Sequence, residues 1–303
     1  METTYTEQHI HEQIAAHIAA HARPLLVILG PTASGKTGSS IELAQRFNGE
    51  IISADSRQVY RHMDIGTAKI TEEERAGVPH HLLDVVDPDA RFTVSDFKRM
   101  AEAAADTILA RGKVPILVGG TGLYIDVVTR NFVLAPENPE IRARLQRELD
   151  QEGPEALHAR LAEMDPDSAA KFHPNNTRYV VRALEIAMTS GSAKRDEMRP
   201  PKYDVLKVGY VWEREKLYER IDARAEKQVE HGLFDETAQL LAMGYSRQLP
   251  SMSSLGYRES LEFLDGEITR EQALALIQKN CRNYARRQMT WFKRYDDILW
   301  VKR

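Results

Sequence analysis

The chain has 303 residues, 42% hydrophobic and 28% charged, a balance that suits a folded globular protein with one large domain or a core plus a smaller one. Apolar runs such as Leu25 to Leu29 and Ile116 to Val118 are far too short to span a bilayer, and no charged-then-apolar leader opens the sequence. A single cysteine, Cys281, excludes an intrachain disulfide and a cysteine-based zinc cluster, so the expectation is a cytoplasmic protein without a membrane partner. The net charge of −4 argues weakly against nucleic acid, yet Lys279 to Arg303 carries eight basic residues against Asp296 and Asp297. Local patches rather than totals attract polyanions, although such a run also suits a solvated helix face.

Residues 1–22 are polar and His-rich, with no turn signal to fix them, and residues 1–23 read as a flexible leader. His17 and His21 have a metal-compatible helical spacing but no carboxylate or cysteine partner. From Pro24 the pattern sharpens. Leu25 to Leu29 reads as a buried strand, followed by a glycine loop and a helix from Thr37 to Phe47 that turns Ile41, Leu43, Ala44 and Phe47 inward. A strand at Glu50 to Ser53, a helix from Ser95 to Arg111 stopped by Gly112, and a strand at Val114 to Val118 follow. Short β-branched runs alternating with helices predict an α/β fold with a parallel sheet covered on both faces.

The texture changes at Leu134 to Pro139, where Asn138-Pro139 marks a helix start. Helical segments at Pro139 to Gln151, Glu155 to Met164 and Thr177 to Thr189, the last stopped by Gly191, predict a helical insertion domain over 137–199. The remainder, 24–136 and 200–303, forms the core. Ser192 to Tyr203 reads as a loop, Val205 to Trp212 as a returning strand, and helices dominate to the end.

Gly30-Pro31-Thr32-Ala33-Ser34-Gly35-Lys36-Thr37 matches G-x-x-x-x-G-K-[ST] in full, with an apolar strand before it and an amphipathic helix after it. This is a phosphate-binding loop, and it makes the sheet P-loop NTPase-like. Backbone N–H groups converge on phosphate oxygens, the helix N-terminus adds its dipole, Lys36 supplies a point charge, and the Thr37 hydroxyl can ligate Mg²⁺. The loop alone does not choose between a kinase, a nucleotide switch and a diphosphate-releasing transferase. A guanine-reading N-K-x-D is absent.

Asp55 follows the second strand, 18 residues after Thr37. Doubly wound sheets bind ligands at the carboxyl ends of their strands, so Asp55 and the Gly30 loop should face one crevice, where a carboxylate can hold a metal-bound water or take a proton. The strand Val114 to Val118 ends in Gly119-Gly120-Thr121, a turn that can bring the Thr121 hydroxyl to a ligand, although such turns are often only structural.

Gly30 to Thr37, Asp55-Ser56-x-Gln58-Val59-Tyr60, Asp64 to Lys69, His80 to Asp84, Gly119 to Tyr124, Arg182 to Glu185, Leu217 to Arg224, Leu255 to Glu259 and Tyr284 to Phe292 come in an order and spacing that resembles the tRNA dimethylallyltransferases. The resemblance covers about residues 24–295. One departure is Ile70, where that family usually has proline.

The resemblance implies transfer of a dimethylallyl group from dimethylallyl diphosphate to N6 of the adenosine 3′ of the anticodon. It implies Asp55 as base, Thr121 as its helper, Lys36 and Mg²⁺ on the diphosphate, and Arg220 and Arg224 as further clamps. Ser56, Arg57 and Gln58 become candidates for reading the target base. Arg178, Tyr179, Val180, Val181 and Arg182 stand where that family contacts tRNA, and Arg282 and Arg286 lie on a basic flank of the last helix. The same helix carries an inward stripe of Ala273, Ile277, Cys281, Tyr284, Gln288 and Phe292. For Tyr284 and Trp291 core packing is favoured over base stacking, and for His80 and His81 loop scaffolding over metal binding. The alternatives are an adenylate isopentenyltransferase, a P-loop small-molecule kinase and a non-catalytic nucleotide-dependent RNA-binding module. A monomer is expected, since no exposed heptad or apolar edge stands out.

Overall fold

Pro24–Leu29 is buried at all six positions, which a strand achieves only with a neighbour on each side and both faces covered. The structure, a computed structural model, describes residues 4–190 and 199–303 and contains two units, Met1–Arg130 with Pro201–Arg303, and Asn131–Pro200. The first unit runs β1 (Thr4–Tyr5), α1 (Glu7–Ala20), β2 (Pro24–Leu29), α2 (Lys36–Arg46), β3 (Gly49–Ala54), β4 (His80–His81), α3 (Val94–Ala110), β5 (Val114–Gly119) and α4 (Gly122–Thr129). The second unit holds α5 (Pro139–Glu152), α6 (Pro154–Met164), α7 (Pro166–Lys171) and α8 (Thr177–Ser190). The chain then returns through β6 (Asp204–Val211), α9 (Arg214–Glu230), α10 (Leu233–Ala242), α11 (Tyr257–Leu264), α12 (Arg270–Phe292) and β7 (Ile298–Lys302).

The strands form one sheet in the order β1-β7-β6-β2-β5-β3-β4, parallel at every pairing among the described residues. From β2 the chain moves past β5 to β3, and from β5 it moves back past β2 to β6. The order therefore reverses between β2 and β5, and a crevice opens beyond their carboxyl ends. Leu26, Ile28, Ile116, Val118 and Val208 share one core with Leu43 and Ala44 of α2 and with Ile10 and Ile14 of α1. Ile41 and Phe47 only flank that core, because Ser39 and Ser40 take the more buried positions of α2.

Two expectations are corrected. Residues 4–20 are not a flexible leader: the Thr6 side chain caps α1 by accepting from the His9 N–H, and Ile10 and Ile14, one turn apart, are buried on the sheet. Each such burial contributes roughly 1.5–3 kcal/mol, enough to hold a short amphipathic helix in place. Nor is the chain helical to its end, since β7 pairs with β6 and accepts β1 on its other side. Ile298, Trp300 and Val301 carried that strand signal.

Residues 55–93 form a long excursion with little regular structure, and side chains organise it. The Lys69 ammonium is buried and bonds the Tyr60 carbonyl (2.8 Å), Asp64 and Asp84 (both 2.6 Å). The Glu236 carboxylate accepts the N–H groups of Asp64, Ile65 and Gly66 at 2.8–3.1 Å and the Tyr257 hydroxyl at 2.5 Å. The adjacent histidines are scaffolding. His81 bonds the buried Glu50 carboxylate at 2.8 Å, and His80 bonds the Val78 carbonyl at 2.8 Å.

The helical unit has its own core of Leu145, Leu157, Leu161, Val180, Ala183 and Leu184. Asn138 caps α5 by accepting from the Ile141 N–H. Buried Glu185 takes the Asn138 N–H at 2.7 Å and pairs with Arg142 (2.7 Å) and Arg182 (2.8 Å). Burial alone would raise its pKa, and these three donors reverse that and hold it below the ordinary carboxylate value. The expected helix stop at Gly191 and the start of the loop at Ser192 lie outside the described residues.

Candidate active site

The Gly30–Thr37 loop leaves β2 and enters α2 through Gly35, whose φ of +88° is a left-handed conformation open to glycine at little cost. Side chains from other elements fix the loop's backbone. Trp212 at the end of β6 donates its indole N–H to the Ser34 carbonyl (3.0 Å). Arg220 of α9 donates to the Ala33 carbonyl (2.9 Å), with its guanidinium 4.5 Å from the centre of the Trp212 ring. Arg224, one turn further along α9, donates to the Thr32 hydroxyl (3.3 Å), and Lys36 reaches the Pro31 carbonyl (3.2 Å). The arginines expected as clamps thus brace the loop itself.

The cradle has the marks of an anion site. Lys36 is driven down to about 8, first by removal from water and then by Arg224, with Asp55 opposing. Two cations held this close, with only the Asp55 carboxylate in reach of both, are stabilised when a further anion enters. Ser34 is buried, and its Oγ finds no protein partner among the described residues. The first N–H groups of α2 also have no intrahelical acceptor. Thr37, in that first turn, offers a hydroxyl of the type Mg²⁺ accepts. Among the described residues no group of three or more His, Cys, Asp or Glu side chains could hold a metal. The Thr37 hydroxyl at the cradle fits a magnesium ion.

The facing wall comes from β3, β5 and α12. Asp55 leaves β3, and its Oδ1 accepts the Arg57 N–H (2.9 Å). Its carboxylate lies within electrostatic reach of Lys36, Arg224 and Tyr284. Thr121 follows β5, donates its N–H to the Ala54 carbonyl (3.3 Å), and accepts the Ser56 N–H on its hydroxyl (3.2 Å). Asp55, Ser56 and Thr121 are therefore brought together as expected from their strand ends.

Two residues of α12 read from sequence as core belong to this wall. The Tyr284 hydroxyl lies close to the Thr121 side chain, and burial followed by the Asp55 charge pushes it up to about 12, so it remains neutral. Gln288 is buried, accepts the Thr32 N–H on Oε1 (2.8 Å) and donates to the Gly120 carbonyl (2.9 Å). A glutamine on an otherwise apolar stripe was the available signal, because a buried amide must find partners.

Other candidate residues fall elsewhere. The Gln58 amide is spent at both ends: Oε1 accepts from Ser53 (3.2 Å), and Nε2 donates to the carbonyls of Thr67 (3.2 Å) and Ala68 (3.3 Å). It holds the 55–93 excursion instead of offering a free edge to a base. Arg57 donates to the Pro250 carbonyl (3.0 Å). Arg282 pairs with Asp222 at 2.5–2.6 Å and is not a free phosphate contact, whereas Arg286 is exposed. Trp291 is half-buried, packs against Gly122 and donates to buried Asp126 (3.1 Å). In the helical unit Val180 and Val181 are buried at 1% and 6% exposure, so their side chains cannot meet RNA. Arg178 and Tyr179 are exposed, while Arg182 bonds the Ala135 carbonyl (2.7 Å) and Glu185. Among the described residues no helix is long and apolar enough to cross a membrane.

Comparison with known proteins points one way. The model of the IPP transferase family matches residues 58–295, and that of isopentenyl transferase matches residues 23–86. A tRNA dimethylallyltransferase of Exiguobacterium sp. strain AT1b is 48% identical over 280 residues, covering 92% of this chain and 90% of that protein. The full-length tRNA isopentenylpyrophosphate transferase of Bacillus halodurans superposes with a TM-score of 0.70 at 45% identity, over 92% of this chain and 90% of that one. A eukaryotic dimethylallyltransferase caught acting on tRNA superposes with a TM-score of 0.78 at 29% identity, over 92% of this chain and 74% of that one.

Proposed function

The chain belongs to the IPP transferase family, and on that footing we propose that it transfers a dimethylallyl group from dimethylallyl diphosphate to N6 of the tRNA adenosine 3′ of the anticodon. The observation that carries the site assignment is one crevice with a cationic cradle on one wall and the Asp55 carboxylate on the other.

The transfer breaks an allylic C–O bond and forms a C–N bond. The bonding pair leaves with the diphosphate, the allyl carbon becomes electron-poor, and the amine gives up one proton. Fixed donors are most useful where charge develops, so Lys36, Arg224 and the loop N–H groups act on the departing diphosphate. Magnesium, held through the Thr37 hydroxyl and diphosphate oxygens, would neutralise part of that charge. The N6 amine is a weak nucleophile because its lone pair is shared with the ring. Asp55 accepts its proton as the C–N bond forms, and Thr121, held by Ser56 and close to Tyr284, orients the amine. The adenine must leave the anticodon-loop stack to reach this crevice. Arg178 and Tyr179 in the helical unit, and Arg286 on α12, are the exposed basic and aromatic side chains proposed to hold the RNA.

The test is incubation with Mg²⁺, labelled dimethylallyl diphosphate and either unmodified tRNA or AMP. Label is expected in tRNA at the adenosine 3′ of the anticodon. Label in AMP alone makes the protein an adenylate isopentenyltransferase and removes this proposal.

A further inference from the structure

We propose that Gln288 is a positioning residue that sets the spacing between the diphosphate loop and the acceptor turn. The proposal rests on the transferase reading for its kinetic consequences, though not for its structural ones. The two glycine-rich segments are separate strand ends, and nothing in their own backbones joins Thr32 to Gly120. One side chain does so. Gln288 Oε1 takes the Thr32 N–H at 2.8 Å while Nε2 gives a proton to the Gly120 carbonyl at 2.9 Å.

The amide can sit in only one sense, because Thr32 presents a donor and Gly120 an acceptor. The glycine at position 120 belongs to the same device. A Cβ there would lie 2.1 Å from Gln288 Nε2, so a side chain at this position would displace the Gln288 amide from where it now bonds the turn. The two ends of the strut lie beside the reacting groups. On one side the Thr32 hydroxyl is bonded by Arg224 (3.3 Å), and Thr32 stands in the loop proposed to hold the diphosphate. On the other, Gly120 precedes Thr121, whose hydroxyl meets the Ser56 N–H and Tyr284. The Thr32 N–H is consequently spent on Gln288 and is not one of the donors that meet phosphate.

In a transfer reaction the critical distance is from the allyl carbon, fixed through the diphosphate, to the amine, fixed through Asp55 and Thr121. Misplacement of about 1 Å can cost 10²-fold in rate. A strut between the two anchors controls that distance without touching either substrate.

Gln288→Met keeps the length and removes both hydrogen bonds. It is expected to lower kcat about 10²-fold with the KM for dimethylallyl diphosphate within about threefold, and to lower Tm through the two backbone groups left without this partner. Gln288→Glu separates strut from packing. Its carboxylate can accept from Thr32 but repels the Gly120 carbonyl, whereas its protonated acid can bond both. Activity of Gln288→Glu relative to the unaltered protein should therefore rise as pH falls toward about 5. Hydrogen exchange in the unliganded Gln288→Met protein should show residues 30–35 and 119–122 losing protection together.

An unchanged kcat in Gln288→Met with unaltered exchange overturns the proposal. So does a Gln288→Glu activity ratio that is flat with pH. If the unaltered protein fails to label tRNA, the transferase reading falls instead, and the exchange measurement still decides whether the strut exists.

Discussion

The two walls of the crevice are built in opposite ways. The diphosphate wall is one continuous stretch, Gly30 to Thr37, braced from outside by Trp212, Arg220 and Arg224. The acceptor wall is gathered from β3, β5 and α12, with Asp55, Thr121 and Tyr284 drawn from positions far apart in the chain. Continuity gives the first wall a backbone geometry that most side-chain changes leave intact. Assembly from three elements makes each group of the second wall depend on packing elsewhere. Changes on the two walls should therefore separate kinetically, with loss of turnover on one side and loss of diphosphate affinity on the other.

The largest effect is expected at Asp55. Asp55→Ala removes the proton acceptor and should lower kcat by about 10²–10⁴, with diphosphate binding, measured by isothermal titration, changed little. Retained turnover would remove Asp55 from its role. Lys36→Met should lower kcat/KM by about 10²–10³ and, unlike Asp55→Ala, weaken diphosphate binding as well. If the two variants gave the same pattern, the walls would not be functionally distinct.

Lys36 also makes the contrast visible in pH. Without a bound anion its ammonium is held down to about 8 by burial and by Arg224. A bound diphosphate raises that value again, so binding takes up a proton at pH above about 8 and none well below it. Diphosphate affinity should be level with respect to Lys36 below pH 8 and fall by up to about tenfold per pH unit above it. Lys36→Met should lose this slope, and Asp55→Ala should retain it.

The same difference decides what was legible in the sequence. A phosphate loop is legible because its chemistry lies in consecutive backbone groups, and Asp55 and Thr121 follow from where strand ends meet at a switch point. Tyr284 and Gln288 read as packing because helical period alone cannot say whether an inward face meets core or crevice. Val180 and Val181 failed for the complementary reason. They fall in a motif otherwise exposed at Arg178 and Tyr179, and a 3.6-residue repeat turns its members to different sides. The α1 segment is hard to read because its inward face is a narrow stripe, Ile10, Ile14 and Ile18, in a stretch otherwise of alanine and polar residues, and its partners are strands distant in the chain.

The smallest effects are expected in the helical unit, where two arginines one turn apart take different duties. Arg178 is exposed, whereas Arg182 bonds the Ala135 carbonyl and buried Glu185. Arg178→Ala should weaken tRNA binding a few-fold and reduce the slope of log affinity against log salt by about 1, with Tm unchanged. Arg182→Ala leaves Glu185 with Arg142 and the Asn138 N–H, so stability should fall by about 1–3 kcal/mol, read by thermal denaturation. Glu185 has its pKa depressed on folding, so its contribution is complete above its unfolded value and is lost as pH falls through the lower folded one. The stability difference between Arg182→Ala and the unaltered protein should therefore shrink in acid. Arg178→Ala should show no such dependence, and a stability loss in Arg178→Ala as large as that in Arg182→Ala would show that both residues serve the fold.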